Sequence, residues 1–393
     1  MLTGRRFAPA KEIDKVIMMR SIHDLLETAL QRKASDLVIK AGAKPAMRVN
    51  GKMQFDDTPV IAVSEARELI YEILFSANRD RMIERADLDE PQEEDSEAQQ
   101  MKVVQEKQEL DLVFTIPNMA RVRANLFMER GRVGAVLRII PLRPYTIEEL
   151  GLPPILKKVA LEPQGLIIIT GPTGSGKTTT LAALIEEVNR NKNANIFTIE
   201  EPIEYLFEDK SSVIHQREVG ADTHSFESAL HSVTRQSPDV IAIGELRDRK
   251  TMDVAMTAAE IGHLVITTLH TTSAAATIDR IVNSFPEHLK RQVCRQLSAS
   301  LLCVTSQRLV NRADGAGRVP AVEVMTASPL VKKQLDDGET SDLYACLRDG
   351  AHFGMNTMNQ ALERLHQSQT ISYEDAMQFA GNSAELRQML RRG

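Results

Sequence analysis

The chain has 393 residues, 42% of them hydrophobic, which suffices for two or three domains with cores of ordinary size. Its 54 acidic against 48 basic residues leave a formal net charge of -6 and there is no Trp, a balance that argues against an electrostatic, stacking grip on nucleic acid. Three cysteines without CxxC spacing, Cys294, Cys303 and Cys346, exclude a disulfide framework and a four-cysteine zinc module; they read as buried small apolar residues in a reducing compartment.

The N-terminal "MLTGRRFAPAKEIDK" carries charge with no apolar run behind it, so it does not read as a secretory signal. Aliphatic runs such as "GLIIIT" fall far short of the roughly 20 residues that span a bilayer, and the chain reads as cytoplasmic, without a transmembrane segment. In "SIHDLLETALQRK", Ile22, Leu25, Leu26, Ala29 and Leu30 recur at helical spacing behind Ser21, a capping residue with Asp24 three positions on. "DLVIKAGAKPAMRVNGKMQF" predicts short strands, with Asn50 and Gly51 supplying the positive dihedrals of a tight turn. Residues 87–108 form an acidic insertion whose first half reads as a solvated loop. Alternation returns in "LDLVFTIPNMARVRANLFMERGRVGAVLRIIP", as in sheet strands. Five prolines between Pro141 and Pro163 then mark a boundary. The expected organisation is an α+β domain over 1–140, a linker over 141–164, and a further domain over 165–393.

From Gly165 the text alternates between strand ("LIIIT"), helix ("KTTTLAALIEEVNR"), strand ("NIFTI"), a turn at Pro202, strand ("DVIAIG"), helix ("TMDVAMTAAEIG") and strand ("LVITT"). Such alternation predicts a parallel sheet covered by helices on both faces, an α/β fold. After "RIVNSFPEHLKRQ" the chain is expected to be largely helical to its end.

"GPTGSGKT" satisfies the phosphate-binding pattern G-x-x-x-x-G-K-[ST] and stands between a strand and a helix, as that pattern requires. Gly171, Pro172, Thr173, Gly174, Ser175, Gly176, Lys177 and Thr178, with the adjoining Thr179, are thereby candidates to hold ATP. The glycines let backbone N–H groups turn inward, Lys177 reaches the β- and γ-phosphates, and Thr178 offers its hydroxyl to Mg2+. "SPDVIAIGELRD" delivers Glu245 just past a strand end, where a carboxylate can hold Mg2+ through water. "NIFTIEEPIEYLF" gathers Glu200, Glu201 and Glu204 around Pro202, and Glu204 is the candidate to orient or deprotonate an attacking water. "LVITTLHTTSAA" ends a strand in hydroxyls and His270, a candidate sensor of the terminal phosphate.

Taken together, "GPTGSGKTTT", "TIEEPIEY", "GELRD" and "AAEIGHLVITTLHTTSAAATIDRI" resemble, in order and separation, the Walker A, aspartate, Walker B and histidine boxes of the secretion ATPase superfamily. Within it, residues from about 20 to 380 resemble the PilT/PilU-type pilus retraction ATPases. The resemblance implies a PAS-like N-terminal α+β domain followed by a RecA-like P-loop ATPase domain with a helical C-terminal region. It implies that His263 and His270 are the histidine-box histidines, and that Glu204 and Glu245 take the catalytic and Walker B places. It implies a homohexamer in which arginines of one subunit reach a neighbour's nucleotide, with Arg121, Arg123 and Arg138 as candidates. It implies an inner-membrane platform protein and a paralogous motor ring as partners, and a cytoplasmic location peripheral to the inner membrane. The alternatives are an assembly or secretion motor of the same superfamily, whose members generally carry an inserted cysteine-rich metal module, and a nonhydrolysing accessory ring. The chain departs from the pattern at Glu201, where the aspartate box usually has Asp, at His231, where an arginine is common, in the acidic insertion, and in "SPLVKKQLDDGETSDL".

Overall fold

The structure is a computed structural model that describes residues 20–85 and 104–391. Backbone packing divides the chain into two units: residues up to 47 with 53–114 and 124–138, and residues 48–52 and 115–123 with everything from 139 onward. Two hairpin turns therefore group with the second unit, an exchange that no linear boundary describes.

In the first unit, helix α1 (Ile22–Gln31) precedes strands β1 (Asp36–Lys40), β2 (Ala46–Val49) and β3 (Lys52–Phe55); helix α2 (Val63–Arg85) is followed by β4 (Glu109–Ile116), β5 (Ala120–Glu129) and β6 (Arg132–Ile140). The six strands form one sheet in the order β3-β2-β1-β6-β5-β4, with β1 antiparallel to β6. The predicted start of α1 is present as a reciprocal capping box between Ser21 and Asp24, and the helix buries Ile22, Leu25, Leu26 and Ala29. Asn50 and Gly51 turn β2 into β3 with φ of 51° and 79°, the double positive φ that this tight turn requires. Most of the acidic stretch 87–108 lies outside the described residues, and residues 104–107 at its end are helical.

The second unit is built on seven strands: β7 (Gly165–Thr170), β8 (Asn195–Glu200), β9 (Val213–Glu218), β10 (Val240–Ile243), β11 (Leu264–Leu269), β12 (Leu301–Asn311) and β13 (Arg318–Thr326). Their order is β13-β12-β7-β11-β10-β8-β9, parallel throughout except for the antiparallel edge strand β13. Because side chains alternate across a strand, β7 sends Leu166 and Ile168 into one core and Ile167 and Ile169 into another. The second core receives helices α3 (Ile155–Ala160) and α4 (Lys177–Asn191); the first receives α5 (Phe226–Val233), α6 (Arg249–Glu260), α7 (Ala274–Asn283) and α8 (Glu287–Ser300). Helices on both faces explain why β7, β10 and β11 are apolar without alternation: every residue of each is buried.

One expectation needs correcting. The chain beyond residue 292 is helical except for β12 and β13, which form a long hairpin that completes the sheet, β12 lying directly against β7. Helix α8 runs into β12 with no glycine or proline between Ser300 and Leu301, so the switch lacks a breaker, and the buried run of β12 does not alternate. Helices follow as α9 (Pro329–Asp337), α10 (Leu343–Asp349), α11 (Met358–Gln367), α12 (Tyr373–Gln378) and α13 (Ser383–Leu390), the last three packing with Val310 and Ala321 of the hairpin. Cys294, Cys303 and Cys346 are free and buried. Among the described residues no helix is long and apolar enough to cross a membrane.

Candidate functional site

Parallel strands align their C-terminal ends, and in this sheet the chemistry-bearing residues leave from those ends. Thr170 of β7 pairs with Leu269 of β11, so the glycine loop and His270 start from adjacent positions. Ile243 of β10 pairs with Thr267 of β11 and with Ile199 of β8, which places the departures toward Glu245 and Glu204 on the same edge.

The loop from Gly171 to Gly176 needs its glycines. Gly171, Gly174 and Gly176 have φ of 144°, 77° and 91°, and a Cβ on Gly171 would stand 2.4 Å from the Gln307 carbonyl oxygen. Helix α4 then begins at Lys177, its first N–H groups directed into the loop. Lys177 is buried, donates from Nζ to the carbonyls of Gly171 and Pro172 at 3.0 Å each, and has its pKa lowered by that burial.

Gln307 on β12, which the sequence reading passed over, staples this unit. Its Nε2 donates to Ser175 O at 2.9 Å, and its Oε1 accepts from the Thr180 hydroxyl at 3.0 Å, with the side chain 1% exposed. A strand read as helix hid it.

Glu245 and His270 meet. The His270 Nε2 lies 3.0 Å from Glu245 Oε2, and Arg247 pairs with the other carboxylate oxygen while also reaching Glu201 at 2.7 Å. Burial lowers the His270 pKa, and the positive charges of Lys177, Arg280 and Arg247 lower it further. The imidazole is therefore neutral near pH 7 and donates Nε2–H to the carboxylate. Beyond His270, hydroxyls connect β11 back to β7: Thr170 and Thr271 are 2.6 Å apart, and Thr271 and Thr277 likewise.

Glu204 stands on the loop after β8. Arg123, grouped with the second unit, lies 3.4 Å from its Oε1. The neighbouring Tyr205 hydroxyl donates to Thr179 Oγ1 at 3.3 Å, which ties this loop to the start of α4. Beneath it, Glu200 is buried, accepts from Thr198 at 2.7 Å and from Gln216 at 3.3 Å, and burial raises its pKa to about 7. Glu218 holds the same loop through the Ile203 N–H at 3.0 Å.

The structure thus brings Lys177, Thr178, Thr179, Glu204, Glu245, His270 and Arg123 to one edge of the sheet. It does not bring His263, which precedes β11 at the opposite edge and bonds through Nδ1 to Pro238 O at 2.8 Å. Arg138 lies in the first unit, 3.2 Å from Asp36, while Arg121 donates to Ile203 O at 3.2 Å and to Thr115 at 3.1 Å. Glu201 and His231, two departures from the resembled pattern, are exposed. A cleft of about 640 Å³ opens beside the site, lined by Glu201, Phe226, Arg247 and Lys250 among others, and does not contain the glycine loop.

A buried strand, a glycine loop, a helix opening on lysine, and carboxylates at neighbouring strand ends define the phosphate-loop class of α/β proteins. The chain matches the family described as "Type II/IV secretion system protein" over residues 11–388, and it belongs to that family. It is 40% identical over 359 residues to the type IV pilus retraction ATPase PilT of Pseudomonas aeruginosa, covering 91% of this chain and 98% of that one. It is also 40% identical over 367 residues to a twitching motility protein of Neisseria gonorrhoeae, covering 93% and 92%. A crystal structure of the pilus retraction motor PilT with bound ADP superposes with a TM-score of 0.77 at 37% identity, covering 94% of this chain and 99% of that one.

Proposed function

We propose that the chain hydrolyses ATP in a hexameric ring and uses the work to withdraw type IV pili, as in twitching motility. The observation that supports the reading is the Glu245–His270 pair at the end of β11 beside the loop of Lys177, with the Glu204 loop tied to the start of α4 through Tyr205 and Thr179, in a chain similar along nearly its whole length to a retraction ATPase. In this reading the first unit is a PAS-like domain and the second a RecA-like ATPase domain.

Lys177 and the N–H groups at the start of α4 bind the phosphates, and Glu204 orients the attacking water and accepts its proton. The Thr178 hydroxyl and the Glu245 carboxylate, both hard oxygen donors, fit Mg2+. Bound there, Mg2+ neutralises charge on the phosphate oxygens. His270, bonded to Glu245 and linked through Thr271 to β7, registers the loss of the terminal phosphate. Arg123 and Arg138 supply positive charge toward a nucleotide held at a subunit boundary. The ring works at the cytoplasmic side of the inner membrane against a platform protein, with a paralogous motor ring as a second partner.

Deleting the gene tests the direction of work. Excess surface fibres with loss of surface movement are expected; bald cells would instead make the chain an assembly motor.

A further inference from the structure

Glu204 is not held by its own side chain alone; the backbone that follows it is fixed from below by one residue of β9. Gln216 accepts the Phe207 N–H at 3.0 Å through Oε1 and donates from Nε2 to Tyr205 O at 2.8 Å and to Glu200 Oε1 at 3.3 Å. Glu200, only 8% exposed, is held in turn by the Thr198 hydroxyl, which donates to its Oε1 at 2.7 Å. The Tyr205 hydroxyl closes the circuit on Thr179, next to Thr178. One amide thus spends all three of its bonds on the loop 204–207 and on the carboxylate beneath it, and that loop spans the distance between β8 and the start of α4.

We propose that Gln216 is a positioning residue for the reaction, setting where the Glu204 carboxylate stands relative to the phosphate-binding loop. The inference rests on the reading of Glu204 as the group that orients water. The chemistry needed is geometric: a catalytic group displaced by about 1 Å loses on the order of 100-fold in rate, whereas phosphate binding by the glycine loop is untouched. An amide suits the task because it both donates and accepts. Glutamate at the same place keeps the acceptor for Phe207 but loses both donations, and it sets a second carboxylate against Glu200.

The test compares the full-length parent with Gln216→Ala and Gln216→Glu, reading steady-state ATP hydrolysis, binding of a fluorescent ADP analogue, and thermal melting. Both variants are expected to lose kcat by about 30- to 100-fold with KM and ADP affinity within about twofold of the parent. Gln216→Glu, nearly isosteric, keeps the test alive if the alanine variant does not fold. The second arm places Gln216→Ala in a Glu204→Ala background and measures single-turnover hydrolysis of labelled ATP. Less than about twofold further loss is expected, because a residue that acts through Glu204 has nothing left to position. An active parent with undiminished kcat in both variants overturns the proposal and leaves the ATPase reading standing. So does a loss in the Glu204→Ala background as large as in the parent, which marks Gln216 as structural. A parent that binds ADP and hydrolyses no ATP overturns the ATPase reading, and this proposal with it.

Discussion

Glu200 illustrates how one buried carboxylate at the site sets a pH dependence. Burial outweighs the bonds from Thr198 and Gln216 and lifts its pKa from 4.5 to about 7. The folded chain therefore holds a proton that the unfolded chain releases above 4.5, so this contribution to stability is full below pH 4.5 and is lost as pH rises through about 7. Between pH 6 and pH 8 the parent is expected to lose about 1 kcal/mol from this group alone. Glu200→Gln, measured by urea denaturation at both values, is expected to show a correspondingly smaller loss; an unchanged pH dependence would mean that the carboxyl is not protonated in the fold. His270 carries the opposite shift, and its lowered pKa keeps it neutral where Glu245 needs a donor. A cationic imidazole in that position would add to the charge of Lys177, Arg280 and Arg247.

Strand β12 gives the sheet its phosphate-loop staple. Gln307→Ala removes a buried amide and leaves the Thr180 hydroxyl and the Ser175 carbonyl without it, at about 1–3 kcal/mol per unsatisfied group. The variant is expected to melt several degrees lower and to bind nucleotide about tenfold more weakly, a comparison that calorimetry makes directly; unchanged affinity would show that the loop keeps its shape without this strand. Neither Gln307 nor Gln216 was legible in the sequence, and the reason is the same for both. Strands β7, β8, β10 and β11 announce themselves as short aliphatic runs ended by Gly, Pro or charge, and they lead directly to the glycine loop, Glu204, Glu245 and His270. Strand β12 emerges from α8 without a breaker, and β9 is the polar edge run "VIHQRE". The candidate chemical residues sit at strand ends where pattern breaks, and so they show. Those that hold them in place sit inside strands whose pattern is weak. The family resemblance groups His263 with His270, although a six-residue strand separates them and carries them to opposite edges.

For the proposed motor, the chemical event is assigned to the edge where β7, β8, β10 and β11 end. A ring of six copies is expected by light scattering in the presence of nucleotide, with the monomer mass alone contradicting the hexameric arrangement. Everything else in the account depends on hydrolysis at this one edge. The most direct measurement is therefore ATP turnover by the purified parent beside Lys177→Ala, Glu204→Ala and Glu245→Ala, each checked for folding by thermal melting. Turnover is expected in the parent, with at least about a 100-fold loss in every variant. A parent that binds ATP without hydrolysing it, or folded Glu204→Ala and Glu245→Ala variants that turn over at the parent's rate, would contradict it.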